Sequence, residues 1–253
     1  MKSKKPLLLY LHGFLGHHNE LAFLMGNHGL YDVYGIPWGA FLKDSEYGSC
    51  VDIAIAINQY LDKKGIQGTY LYGYSMGGRI AMQLIALYPD KWQGLIIESA
   101  HSGFENGLER RDKQRLWEKN FKQLTEVDTE YFLLKWYEQP LFYRSKMMLT
   151  KQAWKRKKEF NIEQIKNWGL ALQTTSQINM LPYLQAWHKP ILYIAGEDDE
   201  KYSKLGKKIA SIVKSCKTVI IQQADHNVHV CKPCEVKKIL AMAIGHQLGY
   251  FTK

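Results

Sequence analysis

Short apolar runs alternate along the chain with longer stretches that carry apolar residues at helical spacing. Leu7–Leu11, Thr69–Tyr72, Leu95–Glu98, Ile191–Ala195 and Thr218–Ile221 are each bounded by turn residues and have the length of strands buried on both faces. Between them, Cys50–Lys63, Gly77–Tyr88, Tyr202–Lys214 and Glu235–Leu248 repeat their apolar residues with the period of a helix that covers a core with one face. This alternation predicts an α/β chain with a mostly parallel central sheet flanked by helices. From about 103 to 187 the rhythm breaks. Helical patterns occur at Leu108–Leu124, Thr129–Tyr137 and Ile162–Thr174, with many aromatic residues and no convincing strand. Such an insertion between two strands lies over the strand ends as a helical cap. With no internal repeat and no low-complexity linker, residues 1–253 are expected to form a single domain that includes the cap.

Length and composition change this picture little. A chain of 253 residues, 46% hydrophobic and 23% charged, suits one large globular domain and excludes disordered and fibrous classes. The net charge of +10 reads mainly as a solvated lysine-rich surface, and Lys151–Lys158 as one exposed helix face. No nucleic-acid-binding module is present, so no nucleic-acid partner is expected. Part of the charge would attract an anionic substrate. The basic start followed by Leu7–Leu11 imitates a signal peptide, but the apolar run ends at His12-Gly13. No stretch approaches the roughly 20 apolar residues of a membrane helix. A soluble, cytoplasmic protein, monomeric or a small homo-oligomer, is expected.

Cys50, Cys216, Cys231 and Cys234 do not form a disulfide framework for a chain of this size. Cys231 and Cys234, with His226 and His229 upstream, have the spacing of zinc ligands. No second such pair exists and His226 has another use, so no metal is expected.

Gly73-Tyr74-Ser75-Met76-Gly77 matches the nucleophile elbow G-x-S-x-G, with a strand pattern before it and a helical pattern after it. The sharp turn strains the serine backbone, requires small neighbours and aims the hydroxyl past the strand end. Ser75 is therefore the candidate catalytic serine of an α/β-hydrolase fold. The His12-Gly13-Phe14 turn after the first strand would bring the Phe14 N–H to the same spot. With the Met76 N–H it forms a candidate oxyanion hole. The serine needs a base and the base an orienting acid, in the order Ser, Asp, His. His226, after the last strand, is the base. The acid is Asp198 or Asp199, after the strand before it.

Further segments narrow the class. They are Arg79 closing the elbow, Glu98-Ser-Ala-His-Ser-Gly103, Glu109-Arg110-Arg111, Trp136-Tyr-Glu-Gln-Pro-Leu-Phe142, Gly196-Glu-Asp-Asp-Glu-Lys-Tyr202 and His226-Asn-Val-His229. Together, from Leu11 to about His229, they resemble the 2-succinyl-6-hydroxy-2,4-cyclohexadiene-1-carboxylate synthases of menaquinone biosynthesis. The family's Gly-Glu-x-Asp-x-Lys-Phe pattern selects Asp199 as the triad acid. The resemblance implies a lyase without a cofactor. Ser75, polarised by His226 and Asp199, would remove a ring proton, and pyruvate would leave. The oxyanion hole would stabilise charge developing on a substrate carboxyl group. The implied substrate is a small polycarboxylate, which planar guanidinium groups clamp well. Arg79 matches the family's carboxylate-binding arginine, and Tyr74 and Trp136 match active-site positions. The cap arginine is Arg110 or Arg111, with Arg111 preferred, and a later family arginine corresponds to Arg156 or Lys158. The loop Tyr34–Gly39, Asp225 and Cys231 depart from the family pattern. The same triad also fits a serine esterase or thioesterase acting on a carrier-bound ester. A non-catalytic scaffold is disfavoured by the complete triad.

Overall fold

The computed structural model describes residues 5–24, 30–40, 48–67, 70–122 and 128–245. Thr69, Leu124 and Leu248, at the ends of expected elements, lie outside the described residues, as do His28 and His246.

The strands are β1 (Leu7–Leu11), β2 (Asp32–Gly35), β3 (Tyr70–Tyr74), β4 (Gly94–Glu98), β5 (Ile191–Gly196) and β6 (Cys216–Ile221). They form one sheet in the order β2-β1-β3-β4-β5-β6, and every pairing is parallel. Strand β2 escapes the sequence pattern. It is a four-residue edge strand, Asp-Val-Tyr-Gly, with no fully buried residue, so it has no apolar run to reveal it. The inner strands read as continuous apolar runs because both faces are covered. In β1 and β3, Leu9, Leu11 and Leu71 enter the core on one face, and Leu8, Tyr10 and Tyr72 enter the core on the other. Each fully buried leucine contributes about 1.5–3 kcal/mol relative to exposure.

Helices α1 (Cys50–Lys63) and α2 (Met76–Leu87) pack on the first face. The Ser49 side chain caps α1 by accepting from the Asp52 N–H. Between β4 and β5 come α3 (Gly107–Lys122), α4 (Thr129–Tyr137), α5 (Ser145–Met148), α6 (Lys151–Lys157), α7 (Ile162–Ala171) and α8 (Leu181–Ala186). Among the described residues this segment contains no strand. Phe121, Phe132, Tyr137, Phe142 and Ile165 form its own buried cluster, joined by Leu15 from the first loop. The chain ends with α9 (Glu200–Ile212), α10 (Val228–Cys231) and α11 (Pro233–Gly245). No described helix is long and apolar enough to cross a membrane.

The chain runs from β1 outward to β2, then back across β1 to β3, and from there steps steadily to β6. The order reverses between β1 and β3. A crevice opens there at the carboxyl ends of the strands, and the loops after β1 and β3 face each other across it.

Candidate active site

Ser75 sits in that crevice, between β3 and α2, with φ 50° and ψ −110°. The left-handed backbone is strained for a residue with a side chain. It is held by glycines that permit close approach. A Cβ on Gly77 would lie 2.1 Å from the Leu11 carbonyl oxygen, and one on Gly73 would lie 2.5 Å from the Gly78 Cα. Helix α2 therefore starts directly against the end of β1. This brings the Phe14 and Met76 backbones to one cavity beside Ser75. Neither amide donates to a protein acceptor among the described residues.

His226 Nε2 is 3.0 Å from Ser75 Oγ, and its Nδ1 is 2.6 Å from Asp199 Oδ2. Asp199 and His226 are both buried. The other Asp199 oxygen accepts from the Tyr202 N–H and caps α9. Asp198 points elsewhere, and its carboxylate pairs with Arg144 at the surface. The imidazole of His226 lies among the rings of Tyr202, Tyr74 and Phe142, at centroid distances of 4.7, 5.5 and 5.9 Å. These rings fix its plane and keep bulk water from its edges.

The cavity encloses about 260 Å³. Arg79, Tyr74 and Trp136, the positions that the resemblance implies, line it. The buried Arg79 donates to the Leu172 carbonyl at 2.5 Å and to Cys50 Sγ at 3.7 Å, so the cap anchors it. A guanidinium has five N–H groups, which leaves three for other acceptors. Trp136 stands 5.0 Å from the Phe14 ring in an edge-on contact. Burial raises the Tyr74 phenol well above its usual value, and it stays neutral.

The cap cations differ from expectation. Arg111 is exposed and does not line the cavity, and Arg110 turns its Nε to the Thr175 carbonyl at 2.6 Å. Both lie near the start of α3. Lys158 pairs with Glu130 on the surface at 2.6 Å, and Arg156 lines a neighbouring groove. The residue between them, Lys157, is only 4% exposed and lines the cavity, so the basic stretch is not wholly a solvated face. Its Nζ donates to the Leu15 carbonyl at 2.9 Å and lies 3.7 Å from Glu20. Sequence reasoning also passes over Glu20, His101 and Lys201, which line the cavity too. No local motif marks Glu20, while His101 lies in the segment Glu98-Ser-Ala-His-Ser-Gly103 without being singled out there. Lys201 carries a signal, the lysine of Gly-Glu-x-Asp-x-Lys.

A buried polar network underlies the cavity. Glu98, at the end of β4, accepts from the backbone and ring of His229 at 2.9–3.0 Å and from the Tyr72 hydroxyl. The other His229 nitrogen faces Glu20 at 3.9 Å, and Glu20 accepts from Tyr10 at 2.9 Å. Burial opposes charge on His229, but Glu98 and then Glu20 outweigh it and raise its pKa. Burial likewise acts on Glu20, but Lys157 and His229 hold its carboxyl below the usual range. The chain Glu98, His229, Glu20, Lys157 thus alternates acidic and basic side chains and reaches the cavity at Glu20 and Lys157. His229 has a structural partner here, as does Cys231, whose thiol lies 3.3 Å from Asp225. Among the described residues no cluster of histidine, cysteine and carboxylate groups is arranged to hold a metal ion.

Asp225 ties the His226 loop to the cap. One oxygen accepts from the Arg144 and Ser145 amides at 2.9 and 2.7 Å, and the other accepts from the Asn227 amide at 3.0 Å. The His226 amide itself donates to Leu141 in the cap at 3.3 Å.

A strained serine between a parallel strand and a helix, with a buried histidine and aspartate in line, sits on a sheet that reverses its order beside it. This arrangement defines a class. The chain belongs to the α/β hydrolase fold family, which matches residues 6–233. Within that family it is similar to proteins named 2-succinyl-6-hydroxy-2,4-cyclohexadiene-1-carboxylate synthase. The one from Photorhabdus laumondii subsp. laumondii is 29% identical, over 99% of this chain and 88% of its own length. The one from Klebsiella pneumoniae subsp. pneumoniae is 26% identical, over 94% of both chains. Among solved structures, MenH from S. aureus superposes with a TM-score of 0.85 at 23% identity, over 97% of this chain and 96% of the other. A carboxylesterase from Nitrososphaera gargenis superposes with a TM-score of 0.72 at 18% identity, over 96% and 92%. These two structural likenesses speak to the fold.

Proposed function

We propose that this chain is a carbon–oxygen lyase of menaquinone biosynthesis. It eliminates pyruvate from 2-succinyl-5-enolpyruvyl-6-hydroxy-3-cyclohexene-1-carboxylate to give 2-succinyl-6-hydroxy-2,4-cyclohexadiene-1-carboxylate. The names of its sequence relatives support this reading. The observation that carries it is the buried Arg79 in the same cavity as Ser75, with Lys157 and Lys201 beside it. A polycarboxylate substrate gives Arg79 and Lys201 anionic partners, whereas a neutral ester does not.

The reaction follows from the substrate's chemistry. The ring hydrogen beside the succinyl carbonyl is acidic. Ser75 Oγ passes its proton to His226 Nε2 and takes that hydrogen. The electron pair of the broken C–H bond forms a new ring double bond, the existing double bond shifts by one carbon, and the C–O bond to the enolpyruvyl group breaks. The leaving group departs as the enolate of pyruvate and takes the proton held by His226. Serine and histidine return to their starting states, no covalent intermediate forms and no cofactor takes part. Negative charge develops on the succinyl carbonyl oxygen, rather than on a carboxyl group. The Phe14 and Met76 amides are the donors for it. Asp199 keeps the imidazole oriented and stabilises its transient positive charge.

An ester hydrolase is the second reading, because Ser75 and His226 at 3.0 Å suit acyl transfer equally well. Purified protein given the cyclohexene substrate should release stoichiometric pyruvate, read by coupled reduction with NADH, and should turn over p-nitrophenyl esters poorly. Ester turnover without pyruvate release reverses the assignment. The absence of a long apolar helix among the described residues is compatible with a cytoplasmic location.

A further inference from the structure

The cavity at Ser75, at about 260 Å³, is smaller than the roughly 300–1,000 Å³ usual for small-molecule sites. A second cavity of about 420 Å³ adjoins it and shares His101, Trp117, Thr174 and Lys201 as a common wall. The two cavities are therefore neighbours, with these four side chains facing both.

The second cavity has an amphipathic lining. Phe104, Leu116 and Trp117 supply apolar surface. Lys113 and Glu109 offset each other in charge, which leaves Lys201 as the unbalanced cation, at the junction. Among the described residues no carboxylate lies within 4.0 Å of the Lys201 ammonium, whose nearest recorded contact is the face of Tyr202 at 5.0 Å. Loss of water to the surrounding wall holds this lysine below its usual range. His101 accepts at Nδ1 from the Gly103 amide at 3.0 Å. Burial, then Lys201 and Arg79, lower its pKa to about 4. The ring is therefore neutral with its proton on Nε2, and that N–H has no acceptor among the described residues. An ammonium with no carboxylate partner and an imidazole N–H with no protein acceptor among the described residues thus line both the narrow site and the larger, half-apolar cavity beside it.

We propose that this second cavity is a subsite for a carboxylate-terminated side arm, with the acid end held by Lys201 and His101 Nε2 and the methylene stem lying against Trp117 and Leu116. The inference rests on the reaction proposed above. There the acyl carbonyl of a short oxo-acid arm occupies the oxyanion site at Ser75, so the remainder of the arm must continue out of the smaller cavity. Burying two methylenes against aromatic surface contributes about 0.8 kcal/mol each. The charge-assisted bonds to the acid end then decide between arms of similar length.

Isothermal titration tests the subsite without turnover. The probes are benzoate bearing an ortho 3-carboxypropanoyl group and benzoate bearing an ortho butanoyl group, which lacks the acid end. The native chain is expected to bind the acid-ended probe about tenfold or more tighter, the worth of one charge-assisted hydrogen bond. Lys201→Met is expected to abolish most of that preference and leave the butanoyl probe's affinity unchanged. His101→Phe, which keeps a ring in the wall, is expected to reduce it in the same direction. No preference in the native chain, or an unchanged preference in both variants, overturns the proposal. Pyruvate release is measured separately. A native chain that prefers the acid-ended probe but releases no pyruvate retains the subsite and removes the lyase reading. Pyruvate release with unchanged preference and KM in Lys201→Met retains the lyase and removes the subsite.

Discussion

Asp225 offers the sharpest test of how the cap and the triad depend on each other. Its carboxylate is 1% exposed and accepts from three backbone amides, two of them in the cap and one in the loop that carries His226. Asp225→Asn keeps the shape but replaces one acceptor oxygen with an NH2 group. Whichever way the amide turns, at least one backbone N–H then meets a donor. Losing one charge-assisted bond costs about 1.5–3 kcal/mol, and the bonds that remain fall to neutral strength, so a total near 3 kcal/mol is expected. For a chain of this size that is roughly 6–12 °C in Tm, at about 2–4 °C per kcal/mol. Thermal unfolding followed by far-UV circular dichroism at neutral pH measures it. The same variant should lower kcat more than it changes KM, because a 1 Å displacement of His226 can cost about a hundredfold. A Tm within about 2 °C of the native value would refute the reasoning and show that water replaces these bonds at little cost.

Arg79→Met should reduce kcat/KM by about 30-fold or more, since truncating one partner of a buried charged pair costs roughly 2–5 kcal/mol. Unchanged kinetics in the pyruvate assay would remove Arg79 from the substrate site. His229 gives a pH signature. Its folded pKa is raised by Glu98 against the effect of burial, so its contribution to stability is complete below the unfolded value of about 6.5 and drains away as pH rises through the folded value. Urea unfolding of the native chain should therefore show stability falling above about pH 6.5, while His229→Gln gives a flatter profile over the same range. Equal slopes would mean that the Glu98 pair is not charged in the folded state.

The parts of this fold legible in the sequence are those that local rules dictate. The strands covered on both faces announce themselves as apolar runs, and the elbow glycines are required by contacts as short as 2.1 Å that any side chain would break. Ser75 and His226 therefore follow from spacing and chain order, which leave Asp198 and Asp199 both open as the acid; the family resemblance selects Asp199, and its carboxylate lies 2.6 Å from His226 Nδ1. Strand β2 is hidden because an edge strand with no fully buried residue has no pattern to display. The cap cations are hidden for a different reason. Which of Arg156, Lys157 and Lys158 turns inward depends on the phase of α6 against Leu15 and Glu20, a tertiary fact absent from the basic run itself. The placement of Arg110 and Arg111 outside the cavity lining is likewise a matter of how α3 packs, with Arg110 turned to the Thr175 carbonyl and Arg111 exposed. Glu98 and His229 stand in two segments far apart in sequence, and nothing in either segment pairs them until β4 and α10 meet beneath the cavity.

The most direct test of the central claim is the time course of pyruvate formation from the cyclohexene substrate by the native chain and by Ser75→Ala. The expectation is turnover in the native chain with no burst of bound acyl group, and a loss of several orders of magnitude in kcat for the variant, as removal of a triad serine produces. Pyruvate released at a similar rate by Ser75→Ala would contradict the account, since proton abstraction would then proceed without the serine on which the whole site converges.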